Sequence, residues 1–353
     1  MTHYRFVMKV PIMLRRAVLA LLPALALVPP ALAQERMMNL YSARHYDTDR
    51  ALYEEFTRET GIRVRLIEGN ADQLIERIRA EGRNSPADVF LTVDAARLAR
   101  AEAAGILAPH GSATIEGRVP AALRDPGGQW FAVTQRARVL MYDRTRGVPE
   151  GLTRYEDLAR PELRGAICVR TSGHAYNTSL AASVLAADGP EATEAWARGV
   201  AANLARPPQG GDRDQINALP SGACRIAIAN TYYLGGYARS NNPAERALSE
   251  RIGVIFPNQG EGDRGAHVNI SGAGLVRTAP NRESAIRFLE FMTTPKAQEM
   301  FALGNMEYPV VADAPLHPAL RSMGTFRAEP VAAARNLDNT PAALQLMQRA
   351  GWN

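Results

Sequence analysis

The 353-residue sequence lacks the short signatures that announce common enzyme chemistry. It has no Gly-x-Ser-x-Gly, so no nucleophile elbow, and no His-Glu-x-x-His, so no helical zinc-hydrolase pair. It has no P-loop and no Gly-x-Gly-x-x-Gly opening a helix, which argues against nucleotide chemistry. Pro208-Gln209-Gly210-Gly211-Asp212 is glycine-rich but too short to cradle phosphates, and reads as a turn before a helix. There is no internal repeat, which excludes a solenoid or propeller. No basic run carries interleaved aromatics. The net charge of +5 falls to about +1 once Arg5, Lys9, Arg15 and Arg16 of an N-terminal leader are set aside. A near-neutral body lacks the electrostatic footprint of nucleic-acid binding.

Cysteine is scarce: Cys168 and Cys224 are the only two. An even count in an exported chain suits one disulfide, with a pair of buried free thiols as the alternative. Long apolar runs are also missing beyond residue 33, so no span of about 18 residues is available to cross a membrane.

The leader is the exception. Arg15 and Arg16 precede an apolar stretch from Leu19 to Val28, interrupted by Pro23. Ala31-Leu32-Ala33 then fits small-x-small cleavage. Residues 1–33 are expected to be a signal peptide, cleaved between Ala33 and Gln34, giving a periplasmic protein. Ordinary secretion and twin-arginine export both fit the Arg15-Arg16 pair. With 46% hydrophobic and 22% charged residues, the chain has globular composition, and beyond the leader it is long enough for about two domains.

Met37 to Ser42, Ile62 to Leu66 and Val89 to Val93 read as strands. Helical patterns starting near Asp49, Asn70 and Asp94 alternate with them. This order predicts a parallel sheet covered on both faces. A second α/β region has strands at Ala137–Tyr142, Ala166–Arg170, Arg225–Ala229 and Ile252–Phe256. The fold class expected is α/β: two lobes, each a doubly wound sheet, joined by a two-strand hinge. Trp130 to Arg138 and Gly265 to Ser271 are the expected crossings. Lobe 1 is placed at 37–134 plus 268–310. Lobe 2 is placed at 135–267, with 311–353 as a tail packing on it.

Ligands of such folds sit beyond the carboxyl ends of the strands. Those ends carry tyrosines: His45-Tyr46 after the first strand, Tyr176 after the Cys168 strand, and Tyr232-Tyr233 after the Cys224 strand. Phenolate is a hard ligand suited to a hard, highly charged cation. A phenol with a pKa near 10 must be deprotonated by the ion it binds, so binding releases protons and weakens in acid. Arg136 or Arg138, at a crossing, can offset the charge of several phenolates. Tyr41 reads as core, Tyr142 and Tyr237 as structural, and Asp94 and Asp214 as helix caps. His110, His174 and His317 read as surface or turn residues, and His267 stays open.

The segments Leu40-Tyr-Ser-Ala-Arg-His-Tyr46, Ser85-Pro-Ala-Asp-Val-Phe-Leu-Thr-Val-Asp94, Tyr176-Asn-Thr-Ser-Leu180, Asn230-Thr-Tyr-Tyr-Leu-Gly235 and His267-Val-Asn-Ile-Ser-Gly272 together resemble the periplasmic iron(III)-binding proteins of ABC-type iron uptake. The resemblance covers essentially the whole mature chain. It implies a non-enzymatic, monomeric carrier that closes about a hinge on Fe(3+) and hands it to an ABC permease in the inner membrane. Tyr46, Tyr176, Tyr232 and Tyr233 match that family's phenolate ligands. His45 matches a ligand used by some members, and Arg136 an arginine standing behind the ligands. One departure is Gly236-Tyr237, where close relatives often carry an arginine. The alternative reading is the same fold holding a polyamine, a sugar or another small organic solute.

Overall fold

Strand β1 (Met37–Ser42) is buried along nearly its whole length, as a strand sandwiched between helices must be. Helix α1 (Asp49–Thr60) follows and stops at Gly61, which takes the left-handed conformation. Then come β2 (Arg63–Glu68), α2 (Ala71–Glu81), β3 (Val89–Val93) and α3 (Ala95–Ala103). Asn70 caps α2 and Asp94 caps α3, each accepting a backbone N–H two residues on at 2.9 Å. β1 pairs parallel with both β2 and β3, as the β-α-β alternation requires. The short β4 (Leu107–Ala108) and α4 (Ala113–Arg118) come next; the sequence pattern gave no sign of either.

The computed structural model describes residues 1–3, 36–44, 46–312, 314–330 and 339–353. The expected signal peptide lies outside the described residues apart from its first three. Among the described residues no helix is long and apolar enough to cross a membrane.

Strand β5 (Trp130–Asp143) organises the molecule. Its residues Trp130–Ala137 pair antiparallel with β9 (Val268–Val276), and Arg138–Asp143 pair with later strands. The expected crossing and the expected strand at 137–142 are thus one continuous strand. After β5 come β6 (Ile167–Cys168), α5 (Ala175–Ala202), α6 (Asp212–Ser221), β7 (Ile226–Asn230), α7 (Thr231–Ala238), α8 (Pro243–Arg251) and β8 (Ile252–Ile255). The strand order is β2-β1-β3-β9-β5-β7-β6, with β4 on β9 and β8 on β5. The sheet is therefore mixed and curls from one half of the molecule into the other through β5. Helix α5 is bent at Gly189-Pro190, where Gly189 has φ 79°.

The chain closes with α9 (Arg282–Met292), α10 (Pro295–Asn305), α11 (Pro318–Arg321) and α12 (Asn339–Arg349). α12 packs on α5. Trp352 is fully buried, 5.8 Å from the Trp196 ring, and donates its indole N–H to the Arg170 carbonyl at 3.1 Å. Burying such a ring contributes about 1.5–3 kcal/mol. Cys168 of β6 and Cys224, just before β7, form a disulfide, with Cα atoms 5.9 Å apart.

Candidate functional site

Each tyrosine singled out from the sequence stands where a strand gives way to a helix. β1 ends at Ser42, whose hydroxyl accepts the Arg44 N–H at 3.1 Å and turns the chain outward. Tyr46 follows, and its carbonyl accepts the Asp49 N–H at the start of α1 at 2.9 Å. Tyr46 is half-buried, with the Arg44 guanidinium 4.5 Å from its ring centre. His45 lies outside the described residues.

Tyr176 occupies the first turn of α5. The preceding His174 caps this helix, its Nδ1 accepting the Tyr176 N–H at 3.3 Å, with the two rings edge to face at 4.4 Å. Asn177 pins the same turn: its amide donates to the Arg170 and Thr171 carbonyls, and its Oδ1 accepts from Arg138 at 2.8 Å.

Tyr232 and Tyr233 lie within α7 itself, not in a turn before it. Neighbours on a helix are splayed by about 100°. Both residues lie in the first turn of α7, and their rings nevertheless stack at 4.3 Å. α7 lies against Met306: a Cβ on Gly235 would come within 2.8 Å of the Met306 Cβ, so only glycine permits this approach.

The phenol oxygens of Tyr176 and Tyr232 are 2.8 Å apart. Two helix N-termini, those of α5 and α7, therefore deliver phenols to one point. Their macrodipoles favour negative oxygen there. Tyr46, Arg136 and Tyr176 line a cavity of about 510 Å³, together with Asp94, Arg97 and His174. Arg136 is buried, 3.5 Å from the Glu307 carboxylate and 3.4 Å from the Ser271 hydroxyl. Arg138 is equally buried; it pairs with Asp212 at 2.7 Å and reaches Asn230 at 3.1 Å.

Burial favours the protonated form of these phenols. Burial pushes the Tyr232 phenol well above its ordinary value, and negative charge on Tyr176, Tyr233 or Tyr46 would push it further. Tyr46 is raised first by burial and then by Glu307, while Arg136 and Arg44 pull it down. Tyr233 is raised as well, chiefly by burial. Such phenols ionise together only if a cation arrives among them. Among the described residues no three His, Cys, Asp or Glu side chains cluster as a metal site would require. A metal held here would take phenol oxygens.

Other residues fall into structural roles. Tyr41 is fully buried, and the buried Tyr237 donates to Asn217 at 3.0 Å. Asp94 caps α3, and Asp214 accepts the Gly211 N–H at 2.7 Å at the start of α6. His110 accepts the Ser112 N–H at 3.0 Å, and His317 caps α11. Against expectation, His110 is buried. His267 is a buried hinge residue bound to Glu329 and, at 3.0 Å, to the Ser179 hydroxyl. Sequence reasoning missed Glu307 and Asp212, the carboxylates that hold these arginines. Asp212 opens a helix, where an acid reads as ordinary, and Glu307 follows α10 with no periodic signal.

The pattern of the bacterial extracellular solute-binding proteins matches residues 84–329. Iron uptake protein A1 of Synechocystis is 50% identical over 319 residues, covering 90% of this chain and 88% of that protein. A Trichodesmium protein (IdiA, FutA) solved in complex with iron and citrate ligands superposes with a TM-score of 0.84 at 48% identity, covering 90% of this chain and 100% of that one. A Bordetella ferric binding protein gives a TM-score of 0.83 at 38% identity, covering 90% and 99%. The expected two-lobed α/β fold is therefore found in close relatives of known structure, and this chain belongs to the bacterial extracellular solute-binding protein family.

Proposed function

We propose that this protein captures ferric iron in its cleft through the phenolates of Tyr46, Tyr176, Tyr232 and Tyr233, and delivers it to an ABC permease of the inner membrane. The carrying observation is the contact of the Tyr176 and Tyr232 phenol oxygens at 2.8 Å, with Tyr233 stacked beside them. A small, highly charged cation rewards gathering hard oxygen donors in one place. Relatives named for iron uptake and ferric binding support the same cargo.

In this reading the iron is carried, not transformed, and the protein is not an enzyme. It works in the periplasm as a monomer after losing residues 1–33. Lobe 1, 37–134 plus 268–310, brings Tyr46. Lobe 2, 135–267 with the tail 311–353, brings the other three. His45 stands next to Tyr46 as a further donor. Four phenolates around a trivalent ion leave one negative charge, which Arg136 offsets from behind. The ion favours the closed form by its extra contacts there, as any ligand must to shift such an equilibrium.

A visible titration of the purified protein with ferric citrate at neutral pH tests this. A broad phenolate-to-iron band that disappears on acidification or with a strong chelator is the expected result. A folded protein that stays colourless contradicts it.

A further inference from the structure

One buried charge cluster takes no direct part in holding the cargo. Arg44 has no exposed side-chain surface, and its partners Asp49 and Glu307 are almost as deeply buried. Its Nε donates to Asp49 at 2.6 Å, and one terminal nitrogen pairs with Glu307 at 2.8 Å. The other terminal nitrogen donates to the Ser271 hydroxyl at 2.5 Å and to the Thr134 hydroxyl at 3.3 Å. Thr134 and Ser271 are register partners on β5 and β9, next to the irregularity between Ala132 and Thr134. Glu307 also accepts from Thr134 at 2.9 Å. The faces of the guanidinium lie 4.5 Å from the Tyr46 ring centre and 5.1 Å from that of Phe301.

Buried ion clusters are a poor source of stability, since apolar side chains of similar volume often serve as well or better. What the guanidinium adds is direction. Its rigid fork holds several partners in one plane while its face carries an aromatic ring. Here the plane is fixed by both strands that cross between the halves, and the ring it carries belongs to Tyr46. We propose that Arg44 is the positioning residue for Tyr46, fastening that phenol to the crossing of β5 and β9. Where the two strands stand then sets where the phenol oxygen stands. Asp49 and Glu307 serve by keeping the cation in place. This inference rests on Tyr46 being a ferric ligand.

The test is a double-mutant cycle on the full chain, read by ferric affinity in competition with citrate and by the visible phenolate band. Arg44→Met is expected to weaken ferric binding by up to about tenfold, no more than loss of the Tyr46 phenol itself, as loss of a group that orients a ligand does. In a Tyr46→Phe background the same change is expected to add nothing, since Arg44 acts through that phenol. Arg44→Lys keeps the charge but not the fork, and falls between. Wild-type affinity in Arg44→Met, or losses that multiply in the double variant, overturn the proposal. Should Arg44→Met fail to fold, Thr134→Val removes a neutral anchor of Arg44 that does not touch Arg136. It must weaken binding in the Tyr46 protein and not in the Tyr46→Phe protein; equal effects in both overturn the proposal. A wild-type protein without any phenolate band overturns this inference together with the ferric reading. A wild-type band with unaltered Arg44 variants overturns the positioning role alone.

Discussion

The two sides of the cleft solve one problem by different means. On the side of β6 and β7, three phenols stand on the first turns of two helices and already touch each other. Arg138 lies beneath, 5.6 Å from the Tyr176 ring, held by Asp212, Asn177 and Asn230. On the side of β1, a single phenol stands on a loop, and Arg44 lies beneath it, held by Asp49 and Glu307. Both sides place a buried, neutralised guanidinium under a tyrosine ring. They differ in what fixes the ring. Helix starts and a disulfide hold the first set, whereas residues of the two crossing strands hold the second. On the proposed reading this is a division of labour: one side is preassembled, and the other is placed by the crossing strands β5 and β9.

The acid dependence of ferric affinity probes this division with the largest effect. Each phenol that ligates must give up its proton, and burial raises Tyr46, Tyr232 and Tyr233, so affinity for free ferric ion falls as pH falls. With four phenolates the loss is about ten-thousandfold per pH unit, and with three about a thousandfold. Competition with a chelator between pH 5 and 8 measures the slope, roughly centred on neutral conditions. A slope of three in the wild type, unchanged in Tyr46→Phe, would leave the β1 side without a role.

The Cys168–Cys224 disulfide comes next. It joins positions 56 residues apart, a loop whose closure stabilises by about 4 kcal/mol in the chain-entropy model. Denaturation of the Cys168→Ser, Cys224→Ser protein is expected to show that loss, and a change under 1 kcal/mol would mean the helix starts need no such staple. Tyr232→Phe removes the phenol in contact with Tyr176, and should cost about a hundredfold in ferric affinity, or roughly 2.7 kcal/mol. Tyr46→Phe leaves the preassembled three intact and should cost about tenfold, or roughly 1.4 kcal/mol. The reverse order in a binding titration would break the comparison.

Much of the preassembled side was legible in the sequence, because strand ends followed by caps locate tyrosines without tertiary knowledge. Tyr176 and the Tyr232-Tyr233 pair were found that way, and the even cysteine count pointed to the disulfide. α7 itself was not legible: Gly235-Gly236 lowers helix propensity, and the close contact with Met306 that demands Gly235 is tertiary. β5 was read as two pieces, since its pairing partners change at Arg138 while its pattern does not. The β1 side was half hidden. Tyr46 was visible, but Arg44 and Glu307 are 263 residues apart, and only the fold brings them to 2.8 Å. His267, left open by the sequence, is held by Glu329 from the C-terminal segment, a pairing that no local pattern carries.

Iron-edge anomalous scattering from a crystal of the ferric-loaded protein tests the central claim most directly. The account predicts one iron peak within bonding distance of the phenol oxygens of Tyr46, Tyr176, Tyr232 and Tyr233. A peak bound elsewhere, or one touching none of these oxygens, would contradict it.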